Sequence, residues 1–261
     1  MKKLLMIVVI SCMTLQMTAQ EKLYLVFEFM KVDNEQEADY AETEKFWSKI
    51  HEERVKNGDI LGWDLWRLQP GGESQHFQYM TVNLYDDPVK MMSGAGDFYA
   101  AVKAAYPDLS DDELDKKMSM TAKSRDLAVR IYLEEIDTTD DEFTMPLGTV
   151  AAINMMKVEP GNTGKYEKME SEVFKPMHQR DVNNGVRASW GFLRFMAPYG
   201  SDVYASHVTV DMYKDYDQYF NPPKVDNPEL TEAQRKQISE GIATRDHKYM
   251  YLATLIMKKR K

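Results

Sequence analysis

Two histidines, two tryptophans and two arginines recur at matched spacings along this chain of 261 residues. His51 and His178 each stand near the end of a segment with helical periodicity. Imidazole titrates near neutral pH, so either could act as general base, as donor to a substrate carbonyl, or as axial ligand to haem iron. The competing reading is structural: a cation complementing a helix C-terminus, or a half-buried imidazole donating to a backbone carbonyl. Trp63 with Arg67, and Trp190 with Arg194, lie four residues apart on an extended segment, which puts each pair on one face. An aromatic plane beside a guanidinium suits a flat anionic ligand, through stacking and paired hydrogen bonds. The alternative places the tryptophans in the core and the arginines in ion pairs across a sheet.

A further strand sets Tyr79, Thr81 and Asn83 on one face, matched by His207, Thr209 and Asp211. The opposite face, Met80, Val82 and Leu84, matched by Val208, Val210 and Met212, is apolar enough to meet helices. This predicts that the polar set points into an interior shared with Glu28, Asn154 and Arg130. Buried charge is costly unless paired, so that interior is either a ligand cavity or a hydrogen-bonded seam with Glu28 and Arg130 as a pair.

These residues belong to a long internal repeat. Met30-Lys31-Val32 returns as Met156-Lys157-Val158, and Tyr40 and Glu44 return as Tyr166 and Glu170. One inserted residue later, His51, Val55, Asn57, Gly58, Trp63 and Arg67 return as His178, Val182, Asn184, Gly185, Trp190 and Arg194. Arg125-Asp126 matches Arg245-Asp246. Two copies of one folding unit follow. Each opens with a strand (24–31, 150–157) and continues into a helix (37–56, 164–183) closed by Asn-Gly. Two strands come next (61–68 with 75–85; 188–195 with 204–213), joined by Pro-Gly turns. Capping boxes at Ser110 to Glu113 and Thr231 to Gln234 start a second helical stretch. A last strand (127–135, 248–257) completes the order βαββαβ, twice, which is the ferredoxin-like unit. Its sheet bears helices on one face only, and a second copy can cover the other. The expected fold is therefore α+β, two tandem ferredoxin-like repeats closing an intramolecular eight-stranded barrel. The divisions are a leader at 1–20, a first repeat at 21–136, an acidic linker at 137–147 and a second repeat at 148–261.

The duplicated pattern, with Trp47-Ser48-Lys49-Ile50-His51 and Phe174-Lys175-Pro176-Met177-His178 ending the first helices, resembles the dimeric α/β barrel superfamily in a tandem, single-chain form. The resemblance spans nearly all of the chain after the leader and is specific for fold rather than activity. It implies relatives among cofactor-less monooxygenases and isomerases, ring-degradation accessory proteins and haem-binding proteins. On that footing the chain is expected to bind a small, partly apolar organic molecule between sheet and helices, with no cofactor required. His51 and His178 would be the catalytic candidates, and Trp63, Arg67, Trp190, Arg194, Tyr79, His207, Glu28, Asn154 and Arg130 the ligand-binding ones. Haem binding, and a non-catalytic module kept for stability or assembly, are the alternatives.

Composition narrows the partners. The first twenty residues read as a secretory leader: Lys2 and Lys3, an apolar run from Leu4 to Ile10, and an exit at Met17-Thr18-Ala19. Export to the periplasm or medium is expected, and lipidation at Cys12 is a second processing route. Cys12 is the sole cysteine, so thiol catalysis, cysteine metal sites and disulfides drop out of the processed chain. Removing Lys2 and Lys3 takes the formal charge from −9 to −11, which argues against nucleic acid and anionic lipid. The tail Lys258-Lys259-Arg260-Lys261 reads as a solvated chain end. His51, His76, His178, His207 and His247 show no metal-ligand spacing, and neither a phosphate loop nor a nucleophile elbow occurs. No transmembrane segment follows the leader. Free sheet edges leave homo-oligomers open.

Overall fold

The computed structural model describes residues 22–69, 76–226 and 228–261. The leader and the Pro70-Gly71-Gly72 turn lie outside the described residues. In the first half, β1 (Tyr24–Lys31), α1 (Glu37–Asn57), β2 (Gly62–Gln69) and β3 (Tyr79–Tyr85) precede four short helices and β4 (Asp126–Thr138). Those helices are α2 (Pro88–Ser93), α3 (Phe98–Ala105), α4 (Asp111–Ser119) and α5 (Thr121–Ser124). The second half runs β5 (Val150–Lys157), α6 (Thr163–Met169), α7 (Lys175–Asn183), β6 (Ser189–Ala197), β7 (His207–Tyr213), α8 (Tyr216–Phe220), α9 (Glu232–Ile242) and β8 (Asp246–Arg260).

The strands close in the order β1-β3-β2-β8-β5-β7-β6-β4. Each half supplies a 4-1-3-2 sheet, and two equivalent antiparallel seams, β2 with β8 and β4 with β6, join them. This is the dimeric α/β barrel architecture with both sheets on one polypeptide. Closure leaves no free edge in the barrel. Several start and stop signals in the sequence act as expected. Ser110 with Glu113 and Thr231 with Gln234 form complete capping boxes. Gly58 ends α1 at φ 76°, a left-handed conformation that costs a residue with a Cβ about 1 kcal/mol or more.

The single residue inserted between Glu170 and His178 has a clear place. Glu170–Phe174 form a π-helical turn between α6 and α7, whereas α1 is regular throughout. A π turn absorbs one extra residue without breaking the helix. Glu170 and His178 thereby stay on the sheet-facing side, as Glu44 and His51 do.

The expected facing of the strands is reversed. Leu25, Phe27, Phe29, Trp66, Leu68, Met80, Val82, Ile131, Leu133, Ile153, Met155, Leu193, Phe195, Val208, Val210 and Leu255 form one buried cluster contributed by all eight strands, inside the barrel. Leu84 and Met212 pack against it. Thr81, Asn83, Glu28, Arg130, His207, Thr209 and Asn154 alternate with these residues and so face the helices. The reason is steric and dielectric. Eight strands closed on themselves leave an interior filled mostly by side chains, and an apolar interior penalises every unpaired charge. The helix layer covers its sheet less completely and can accommodate polar groups.

The basic tail also differs from expectation. Lys258, Lys259 and Arg260 belong to β8 rather than to a loose end. Lys258 Nζ donates to the carbonyls of Thr144 (2.7 Å) and Met145 (2.8 Å), Lys259 pairs with Glu52 at 2.7 Å, and Arg260 pairs with Asp64. The tail fastens one seam of the barrel.

Candidate functional site

In the first half, α1 crosses the outer face of the sheet and is braced by two devices. His51 lies flat on Trp63, with ring centres 5.0 Å apart and planes at 11°. Earlier in α1, Glu44 is buried and accepts from Arg125 Nη1 at 2.6 Å, with Tyr40 packed beside the pair. Both devices recur in the second half. His178 stacks on Trp190 at 4.8 Å and 20°, and Arg245 Nε lies 3.3 Å from Glu170 Oε1 beside Tyr166. The tyrosine, glutamate and arginine were visible as repeat matches, but their separation of some 80 residues hid that they meet.

Between α1, the sheet and α2–α3 lies a cavity of about 560 Å³. The sheet supplies Val26, Glu28, Trp63, Thr81, Asn83, Tyr85, Arg130 and Tyr132, and α1 supplies Glu44, Trp47, His51 and Arg54. Met91, Met92 and Phe98 form the outer wall. Of the residues singled out from sequence, His51, Trp63, Glu28 and Arg130 are therefore brought together. Arg130 pairs with Glu28 at 2.6 Å across β1 and β4, and Thr81 Oγ1 donates to Glu28 Oε2 at 3.2 Å. Tyr79 instead packs on Tyr40, ring centres 4.5 Å apart, and Arg67 is exposed away from the cavity.

The second-half candidates serve packing and pairing. Arg194 binds Glu134 across the β4–β6 seam and Glu167 at 2.8 Å, and His207 Nε2 lies 3.3 Å from the same Glu167 carboxylate. His207 Nδ1 is 3.0 Å from Ser206 Oγ, so both of its nitrogens are engaged. Asn154 donates to Asp211 at 3.0 Å. Arg187, which stands where the first half has Ile60, bridges helix and sheet by binding Asp181 at 3.1 Å and Asp211.

Electrostatics assign different protonation habits to the cavity groups. Burial, then the guanidinium charges of Arg54 and Arg125, hold the His51 imidazole well below its usual range, so it is neutral at pH 7. His178 is pushed down to about 3 by burial, Arg187 and Arg245. Neither histidine is therefore a strong base. Arg54 Nη1 lies 3.5 Å from His51 Nδ1; a guanidinium only donates, which favours the ring proton on Nε2. Glu44 moves the other way. Burial outweighs Arg125 and raises its carboxyl to about 7, the range suited to a proton acceptor at neutral pH.

Haem does not fit these residues. His207 is engaged at both nitrogens, His178 is packed on Trp190, and His76 and His247 are exposed. His51 faces the cavity, but its ring is held against Trp63 with a guanidinium at Nδ1, which opposes the electron donation that an iron ligand needs. Among the described residues, no cluster of three or more histidine, cysteine, aspartate or glutamate side chains could hold a metal ion, and no helix is long and apolar enough to cross a membrane. A second, apolar cavity of about 220 Å³ lies inside the barrel, bordered by Trp66, Met80, Met145 and Met212.

Solved structures share this architecture. A candidate monooxygenase from Lactobacillus acidophilus superposes with a TM-score of 0.58 at 10% identity, covering 92% of this chain and 97% of that one. An anthrone oxidase-like protein gives 0.54 at 9% identity, covering 92% and 94%. A candidate chlorite dismutase gives 0.50 at 9%, covering 90% and 95%. At such identities the likeness establishes the fold, a single-chain dimeric α/β barrel, and not the reaction. No family model matches the sequence, and no curated protein is detectably similar to it.

Proposed function

We propose that this protein binds a small, partly apolar organic molecule in the first-half cavity and moves a proton on it without a cofactor. One observation carries the reading. The cavity unites a carboxyl whose pKa is raised to about 7, a neutral imidazole and an aromatic wall, within a space sized for a two- or three-ring molecule. Glu44 takes the proton from a carbon acid, a C–H beside a carbonyl. His51, with its proton on Nε2, donates to the oxygen on which negative charge develops. The resulting enolate is either reprotonated elsewhere, an isomerase outcome, or intercepted by dioxygen, an oxygenase outcome. The similarity in fold to candidate monooxygenases and an anthrone oxidase-like protein supports the second branch. We further read residues 1–20 as a secretory leader, which would give an exported site of action; fractionation of the host would test this.

Anthrone, whose methylene protons are acidic, is the test probe. Exchange of these protons in deuterated buffer, followed by proton NMR, and oxygen uptake are expected to accelerate with the protein and to fall to the buffer rate with Glu44→Gln. Rates unchanged from buffer for anthrone, with no small molecule retained in native mass spectra of protein from its own host, would remove the proposal. A haemin titration discriminates the rival: a Soret shift abolished by His51→Ala would favour haem over the cofactor-free reading.

A further inference from the structure

We infer that the first-half cavity selects an organic anion, whose charged oxygens sit on Arg54 while its aromatic body lies against Trp47, Trp63 and Phe98. The inference rests on the reading of that cavity as a ligand site and specifies the ligand class. Arg54 occupies the last turn of α1, is 8% exposed and lines the cavity. The other cations there are matched, Arg125 by Glu44 at 2.6 Å and Arg130 by Glu28 at 2.6 Å. Among the described residues no carboxylate pairs with Arg54; its only close polar contact is the neutral His51 ring, and its buried Nε has no hydrogen-bond partner. The negative end of α1 offsets part of the cost of burying this charge but satisfies none of the guanidinium's free donors. A buried cation retained in that condition is accounted for if a ligand supplies the counter-charge.

The second half is the control. At the positions of Arg54, Ile60 and Asn83 it carries Asp181, Arg187 and Asp211, and Arg187 joins both aspartates. Arg180 lies 3.6 Å from Asp181 as well, so there two cations meet two carboxylates. In the first half the bridging cation is replaced by Ile60, one aspartate by the amide of Asn83, and the other by Arg54. The exchange opens the space between helix and sheet and leaves it with a surplus positive charge. Asn83 Oδ1 is also buried without a partner, so the ligand should present a hydroxyl or N–H as well. A hydroxylated aromatic carboxylate meets each requirement.

The decisive comparison uses 6-hydroxy-2-naphthoate and 6-hydroxy-2-naphthamide, which differ in charge and not in shape, by titration calorimetry at pH 7. The naphthoate is expected to bind at least tenfold more tightly than the amide. Arg54→Gln should erase that difference, and Arg54→Lys should keep part of it, with circular dichroism confirming that each variant folds. Equal binding of the two probes, or discrimination undiminished in Arg54→Gln, overturns the anion assignment and leaves the ligand cavity standing. Should neither probe bind at millimolar concentration, both the assignment and the cavity reading fall. If Arg54→Gln does not fold, the wild-type ratio and its reduction in Arg54→Lys decide the matter.

Discussion

The two halves brace the long helix that follows their first strand with the same five residues, histidine on tryptophan and tyrosine with glutamate and arginine, yet treat the space beneath it differently. In the second half Arg187 ties α7 to β7 through Asp181 and Asp211. In the first half no such bridge exists, α2 and α3 stand over the gap, and a cavity of about 560 Å³ remains. What the copies share is therefore a clasp that holds helix to sheet. What they do not share, Arg54, Ile60 and Asn83 with the Met91, Met92 and Phe98 wall, is where the proposed ligand selection is placed. Of the repeated histidines that first suggest catalysis, His51 lines the first-half cavity and keeps its proposed donor role there, while His178 is stacked on Trp190.

That division can be attacked by mutation, beginning with the tryptophans. Trp63→Ala and Trp190→Ala each remove a side chain only 1% exposed and should each cost about 3–5 kcal/mol in chemical denaturation. Only Trp63→Ala should also abolish binding of 6-hydroxy-2-naphthoate. The buried cations come next. Arg187→Met removes the bridging charge, leaving Asp211 with only the Asn154 amide and Asp181 with Arg180 at 3.6 Å, and should cost about 3 kcal/mol, whereas Arg54→Met deserts no carboxylate and should leave the melting temperature unchanged or higher. Equal losses for the two would erase the distinction between a bridging and a surplus charge.

Titration offers a finer contrast. Glu44 has a folded pKa near 7, above its unfolded value, so its contribution is full below about pH 4.5 and is lost as pH rises toward 7. Glu44→Gln should flatten that part of the stability profile. Glu135, also raised to about 7 by burial and Asp137, and Glu170, Asp64 and Asp211, raised by burial, keep a residual slope that Glu135→Gln would reduce. His178 behaves oppositely. Its folded pKa near 3 lies below the unfolded one, so stability present above about pH 6.5 is lost as pH falls toward 3. Imidazole NMR titration should find His178 neutral at pH 5 and His51 neutral at pH 7. The smallest effects belong to the caps, where Ser110→Ala and Thr231→Ala should cost about 1 kcal/mol each, equally in the two halves.

Much of the architecture was legible because local signals were strong and doubled. Gly58 and Gly185, the two capping boxes and the strand alternation each appeared twice, but the shift of one residue before His178 suggested a loop and lies instead in a π turn within the helix. The facing of the strands was not legible. Alternation shows that Thr81 and Val82 look opposite ways, but not which side meets the second sheet. Here burial decides, since a closed interior takes Val82 and leaves Thr81 to the helix layer. The site was half legible for a related reason. Reading the repeat by its matches found His51 and Trp63, whereas Arg54 lies at a position where the copies disagree. Its proposed role emerges only when the two aspartates beside Arg187 are seen to be matched by that guanidinium and by Arg180, 3.6 Å from Asp181, while among the described residues Arg54 has no carboxylate.

Methionine methyls give the most direct test of this asymmetry. Met91 and Met92 border the first-half cavity, Met169 and Met177 belong to the second-half helix layer, and Met80 and Met145 border the barrel interior. With methyl-labelled protein and 6-hydroxy-2-naphthoate, saturable shifts are expected at Met91 and Met92, with the other four unmoved. Shifts centred on Met169 and Met177, or on Met80 and Met145, would place the ligand elsewhere and contradict the account.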